Sequence, residues 1–356
     1  MTHNDRDAKS ETGLPGHRVP EVDPPTLGQC QSERRGPEWV ATVSGGGGGG
    51  SPARRRRPAI VASMEGRRVT TRTKSFGVGR REGHDASPYY GRALVSVVET
   101  KDRQTSEPSV ANDVFEHSAE HMSELPDDSV ALMVTSPPYH VGKDYDSDVS
   151  FEEYLALLER VFRETYRVLQ PGGRAVVNVA NLGRRPYVPL SHEVTARMLR
   201  IGFFMRAEVI WRKAKGAGGN CAWGSWRSPA NPVIRDVHEY CLCFSKGRFD
   251  RVVKGASDIS ADDFMASTLS VWEIPPESAR RVKHPAPFPV ELPKRFTQLY
   301  TYTGELVLDP FMGSGSTAVA AVLTGRKWVG YDVNPEYCET TRKRAAAAEA
   351  SLPLAP

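Results

Sequence analysis

The chain has no apolar run approaching the ~20 residues of a membrane span. Its N-terminus is polar and lacks the apolar segment of a secretory signal. Both absences argue against a membrane-spanning helical protein and lead us to expect a cytoplasmic one. Cysteine is scarce, with 5 in 356 residues, and no two form a CxxC pair. No zinc or other metal site is therefore expected, and scattered thiols suit a reducing compartment. The charge excess is small, +4, so net charge alone says little about a polyanionic partner; its placement matters more. The length suggests about two domains and suffices for a sizeable core.

Hydrophobic periodicity is also lacking from residues 1–95. That stretch holds a run of six glycines from Gly45 to Gly50, a run of four arginines from Arg54 to Arg57, and many prolines. Such a composition cannot bury enough apolar surface to offset ordering entropy. We read 1–95 as a disordered basic tail. It would attract nucleic-acid phosphates non-specifically, or it is a solvated extension upstream of a start at Met64.

Two motifs carry chemistry. The apolar run Val130 to Val134 reads as a buried strand and ends in Thr135-Ser136-Pro137-Pro138-Tyr139. Neither proline has an N–H for a strand ladder, so the chain leaves its sheet at Ser136. A hydroxyl and an aromatic ring are thereby placed at a strand end, where open α/β sheets bind ligands. A simple Pro-Pro turn with a packed Tyr is the plainer alternative. The second motif is Asp309-Pro-Phe311-Met-Gly313-Ser-Gly315-Ser-Thr317, between an apolar run at 305–308 and a helical one at 318–323. Strand, glycine turn and helix let a backbone approach a nucleotide-like ligand. Asp332 ends the next strand-like run, Lys327 to Tyr331, at the spacing from which an acid reaches ribose hydroxyls.

TSPPY followed far downstream by DPFMGSGST and GYDVNPEY resembles the S-adenosylmethionine-dependent DNA amino-methyltransferases of bacteria and archaea, in their circularly permuted class. The resemblance spans roughly residues 110–345. It implies a Rossmann-like, seven-stranded α/β sheet with a small inserted target-recognition region. The catalytic half would be 110–211, the recognition region 212–283 and the cofactor half 284–350. It also implies S-adenosyl-L-methionine as cofactor, double-stranded DNA as substrate and a restriction-modification setting with a cognate endonuclease. A homodimer and a nucleoid-associated location are compatible with it. Ser136 and Pro137, with Pro138 and Tyr139, would hold and stack on a flipped base. Asp309, Phe311, Gly313, Gly315 and Asp332 would form the cofactor site. His284-Pro-Ala-Pro287-Phe288-Pro resembles the family's additional cofactor segment, which makes Pro287 and Phe288 candidates for the pocket wall.

Basic and aromatic residues interleave in Arg212, Lys213, Lys215, Trp223, Trp226 and Arg227. Such a segment suits nucleic-acid contact, or it is a surface loop pinned by two tryptophans. Transfer to cytosine C5 would require a Pro-Cys nucleophile, and no proline precedes a cysteine here. Ser at the motif's first position resembles N4-cytosine enzymes more than N6-adenine ones, so cytosine N4 is favoured and adenine N6 is the alternative. A protein-glutamine methyltransferase would carry Asn for Ser136 and the opposite motif order. A catalytically inactive DNA-binding protein on the same fold is a further alternative.

Local signals fill in the rest. Val114 to His117 is expected as an edge strand and Ser118 to Leu125 as a short helix. Ser150 and Glu153 form a capping box for a helix over 151–169, which Pro171-Gly-Gly173 would stop before a strand at 174–180. Further helices are expected at 189–201, at 289–302 with an early break at Pro293, and at 336–350, the last capped by Asn334 with Pro335 at its first position. Strands are expected at 203–211 and 239–245.

Overall fold

β-Branched and apolar runs build the centre of the molecule. A computed structural model describes residues 97–138, 150–183, 186–213, 224–277 and 288–352. The expected tail at 1–95 lies outside the described residues. Among the described residues eight strands form one sheet: β1 Asp113–Phe115, β2 Val130–Thr135, β3 Leu169–Val179, β4 Phe203–Lys213, β5 His238–Lys246, β6 Val271–Ile274, β7 Leu306–Asp309 and β8 Lys327–Tyr331. Their order is β1-β8-β7-β2-β3-β5-β4-β6. Of these strands, only β5 runs against its neighbours. The sheet is thus the mixed α/β architecture expected, with an eighth strand, β6, added beside β4.

Described helices cover both faces. They are α1 Phe151–Val168, α2 Leu190–Ile201, α3 Ala261–Ser267, α4 Glu291–Tyr300, α5 Ser316–Leu323 and α6 Pro335–Ala350. Alternation along β2 sends Met133 to the face under α1 and α2, among Leu158, Phe162 and Val194. Leu132 and Val134 go to the other face, among Phe296, Ala318 and Ala345 of α4, α5 and α6. Burial on both faces explains why β2 and β3 are buried at every position. None of the described helices is long and apolar enough to cross a membrane.

Several local expectations hold. Ser150 caps α1 through the Glu153 N–H, and the Glu153 carboxylate accepts the Ser150 N–H at 2.8 Å. Asn334 caps α6, with Pro335 at its first position. Others are corrected. Residues 118–125 form turns rather than a helix. Side chains of α1 take over their backbone groups: Glu164 accepts the Met122 N–H, and Arg167 donates to the Met122 and Leu125 carbonyls. Pro171-Gly-Gly173 does not separate helix from strand, because β3 begins directly after α1, at Leu169. The surplus residues are absorbed by a register shift against β2. Pro293 does not break α4; it sits in the first turn, where a missing N–H costs nothing.

One glycine is fixed by close packing. A Cβ on Gly330 of β8 would lie 2.1 Å from Met312 Cε and 3.0 Å from its Cβ. Gly330→Ala should therefore destabilise the fold by about 1–3 kcal/mol, read as a lower urea midpoint. An unchanged midpoint would mean that Met312 repacks freely.

Candidate active site at the carboxyl ends of two strands

Chain order reverses between β2 and β7. From β2 the chain steps outward to β3, and from β7 it steps the other way to β8. This is the topological switch point at which α/β sheets leave a crevice. Both sequence motifs emerge there. β2 makes its last ladder pair at Thr135, opposite Val177, and Ser136-Pro137-Pro138 follows without regular structure. Ser136 is half-buried, and its Oγ lies 3.4 Å from Nδ2 of Asn178 on β3. Asn178 is 2% exposed. Its Nδ2 also donates to Glu239 of β5 at 2.7 Å.

Asp309 is the last residue of β7 and is wholly buried. Thr135 Oγ1 donates to its Oδ1 at 2.6 Å, and Thr317 Oγ1 donates to its Oδ2 at 2.7 Å. The Phe311 N–H adds a third bond at 3.1 Å. Asp309 thus bolts the end of β2 to the start of the glycine turn. Burial pushes its carboxyl up to about 6, against the hydroxyl and N–H donors, and the charge of Asp332 pushes the same way.

Gly313 and Gly315 adopt φ of 52° and 80°, the left-handed region that glycine enters without strain. A Cβ at Gly315 would also meet Thr341 Oγ1 at 2.7 Å. Asp332, just beyond β8, receives the Gly313 N–H on Oδ2 at 2.8 Å and the Asn334 N–H on Oδ1 at 2.9 Å. Burial raises its pKa, and these N–H donors oppose the rise. Phe311 is half-buried at the edge of the core. The Phe288 carbonyl accepts from Ser316 Oγ at 2.9 Å, which ties the segment before α4 to the head of α5.

The N6/N4 DNA methylase family model matches residues 130–343. The chain belongs to this DNA methylase family. Curated relatives include the type II methyltransferase M.ScaI of Streptomyces caespitosus, 27% identical, with 66% of this chain and 81% of that one covered. M.MjaI of Methanocaldococcus jannaschii, also named a type II methyltransferase, is 28% identical over 61% and 85%. Among solved structures, the TTHA0409 protein of Thermus thermophilus, complexed with S-adenosyl-L-methionine, superposes with a TM-score of 0.56 at 29% identity, covering 67% and 95%. The cytosine-N4-specific PvuII DNA methyltransferase shares the fold, with a TM-score of 0.54 at 21% identity over 68% and 93%.

In this DNA methylase the switch point brings together Ser136, Pro137 and Pro138 with Asp309, Phe311, Gly313, Gly315 and Asp332. Phe288 lies 8% exposed beside α5. Tyr139, Pro287, Lys215 and Trp223 lie outside the described residues. Arg212, Trp226 and Arg227 are exposed in and after the end of β4, whereas Lys213 forms an ion pair with Glu239 at 2.7 Å. Among the described residues no cluster of His, Cys, Asp or Glu could hold a metal ion. Sequence reasoning missed Thr135, Thr317, Asn178 and Glu239. A signal for Glu239 was available: a lone acid opens the otherwise apolar strand Tyr240 to Phe244.

Proposed function

We propose that the chain transfers the methyl group of S-adenosyl-L-methionine to an exocyclic amino nitrogen of a base in double-stranded DNA. Cytosine N4 is the favoured acceptor and adenine N6 the second reading. The observation that carries this is the Thr135–Asp309 hydrogen bond, 2.6 Å long, which couples the Ser-Pro-Pro strand end to the glycine turn. A base and a methyl donor held on these two strand ends would sit side by side.

The donor set suits the cofactor. The Asp332 carboxylate takes the Gly313 N–H on one oxygen and the Asn334 N–H on the other, and its further acceptor sites suit a ribose diol. Gly313 and Gly315 keep Cβ atoms off the turn at the head of α5, and Phe311 offers an apolar surface. Phe288 and Pro287 would wall the pocket, and Asp309 would orient the turn from behind. When bound, the cofactor supplies an electrophilic methyl group on a sulfonium.

The protein must do the rest at the amino nitrogen, whose lone pair is delocalised into the base ring. Ser136 Oγ and the Pro137 carbonyl are acceptors for its two N–H groups. Holding both turns the nitrogen lone pair out of the ring plane and towards the methyl group, so the displacement is governed by positioning. Pro138 keeps the strand end open and Tyr139 stacks on the base. Extrusion from the duplex costs a few kcal/mol, and stacking returns about 1–3 kcal/mol. The connection from β4 to β5 starts beside this site, and Arg212 at the end of β4 would meet the DNA together with Lys215, Trp223, Trp226 and Arg227 of the connection. Lys213 already faces Glu239 and would contribute less.

The motif order supports a circularly permuted member of the family. The type II methyltransferases among its relatives support a modification role paired with a cognate endonuclease, and a homodimer is compatible with both. The deciding experiment is transfer of labelled methyl from the cofactor to unmethylated genomic DNA, followed by nucleoside digestion and mass spectrometry. N4-Methylcytosine is expected. N6-Methyladenine would correct the base and keep the mechanism. Cofactor binding without a modified nucleoside would favour an inactive DNA-binding protein or another substrate.

Two substitutions separate the halves of the site. Asp332→Ala should weaken cofactor binding by about 10- to 100-fold, the cost of hydrogen bonds to a charged group. Tyr139→Ala should slow transfer by a similar factor through lost stacking and leave cofactor affinity near wild type. Calorimetric titration of the cofactor checks both, and equal losses of affinity in the two variants would sink the division of labour.

A further inference from the structure

A polar row crosses the sheet beside the candidate site, and part of it has no role in the mechanism above. Ser136, Asn178, Glu239 and Lys213 belong to, or directly follow, the adjacent strands β2, β3, β5 and β4. Lys213 Nζ lies 2.7 Å from Glu239 Oε1, and Asn178 Nδ2 donates to Glu239 Oε2 at 2.7 Å. Asn178 Oδ1 accepts from the Cys241 thiol at 3.3 Å, and Asn178 Nδ2 reaches Ser136 Oγ at 3.4 Å. Asn178 and Glu239 are 2% and 7% exposed. A buried carboxylate beside a strand of cysteines and leucine is costly to keep.

We infer that Glu239 is a positioning residue for methyl transfer, acting through Asn178 on Ser136. The inference rests on the proposed role of Ser136 as an acceptor for the target amino group. An ionised carboxylate can only accept, so Glu239 admits Asn178 in one orientation, with its amide nitrogen inward. The Cys241 thiol, a donor at the amide oxygen, enforces the same orientation. The second N–H of Asn178 is then directed at Ser136 Oγ. The contact is long, as catalytic hydrogen bonds often are before substrate binds. It engages Ser136 Oγ from the side of β3 and so orients the hydroxyl for the amino N–H. Lys213 holds Glu239 in place from the other side, at the root of the β4–β5 connection. The row therefore links the strand that leads into the DNA-facing loop to the acceptor of the base.

Glu239→Gln keeps the shape but lets the amides of residues 178 and 239 turn over together. Single-turnover transfer to DNA should fall about 10- to 100-fold, the effect of a small misplacement of a reacting group, while cofactor affinity stays within about twofold. Asn178→Ala, which leaves the Lys213–Glu239 pair intact, should show a comparable loss. The double variant should be no slower than Asn178→Ala alone, because the path from 239 to Ser136 is already cut. A folded Glu239→Gln enzyme with the wild-type rate, multiplicative losses in the double variant, or a loss confined to cofactor affinity would each overturn the inference. If Glu239→Gln does not fold, Asn178→Ala decides alone, and a wild-type rate there overturns it. A wild-type protein that methylates no DNA would instead overturn the function proposed for Ser136, an outcome distinguishable from an active enzyme indifferent to position 239.

Discussion

Ser136→Ala should lower the single-turnover transfer rate by about two to three orders of magnitude, the loss seen when one preorganised polar group of a catalytic site is removed. Cofactor affinity and stability should stay near wild type. The reasons lie in the placement of the residue. Ser136 follows the last laddered residue of β2, so the sheet loses no hydrogen bond with its side chain. Its Oγ contacts Asn178, which keeps its shorter bond to Glu239 in the variant. In the proposed mechanism alanine removes one of two acceptors for the target amino group, and the Pro137 carbonyl alone cannot hold both N–H groups. The loss should therefore appear in the chemical step and not in KM for the cofactor. A rapid-quench measurement with saturating cofactor and DNA checks this. A Ser136→Ala enzyme that transfers methyl at the wild-type rate would remove Ser136 from the mechanism.

Local signals made much of this fold legible, and the failures share a cause. The capping box at Ser150, the Asn334-Pro335 start of α6 and the apolar runs of β2, β7 and β8 depend on residues within one or two turns of each other, so the sequence displays them directly. The helix expected at 118–125 failed because Glu164 and Arg167, about 40 positions away, satisfy its backbone instead. Strand β6 and helix α3 were not expected; both are short, and β6, four residues long, is held by pairing with β4. In the site, Ser136 and the glycine turn were legible because prolines and glycines mark backbone irregularity. Thr135, Thr317, Asn178 and Glu239 were not, since each acquires its role from a partner on another strand or at a helix head. Part of 212–283, assigned in sequence to target recognition, supplies β5 and β6 of the main sheet.

The bolt between the two motifs should also set the pH dependence of stability. Asp309 titrates near 6 in the folded chain because it is fully buried, against an ordinary value near 3.8. The folded state thus holds this proton more tightly than the unfolded chain. Between about pH 4 and pH 6 the native protein binds more protons, so stability falls as pH rises through that window. Below it the carboxyl is protonated in both states and the penalty is absent. Above it the penalty is complete, about 3 kcal/mol for a difference of this size. Asp309→Asn should abolish this segment of the profile. Asn can still accept from Thr135 and from the Phe311 N–H, and Thr317, now receiving an amide N–H, can turn its own proton to the Val134 carbonyl, 3.4 Å away. Asp332, whose pKa is also raised, is present in both proteins and cancels in the comparison. The expected result is a variant that gains on the wild type between about pH 4 and pH 6 in urea unfolding. Asp309→Ala, by contrast, leaves the Thr135 hydroxyl and the Phe311 N–H without this partner. It should cost about 2–6 kcal/mol below about pH 4, at roughly 1–3 kcal/mol for each group left unsatisfied. That loss shrinks by about 3 kcal/mol above about pH 6, where the wild type carries its own penalty. Parallel pH profiles for wild type and Asp309→Asn would show that Asp309 stays ionised throughout, and that its hydroxyl and N–H donors outweigh its burial.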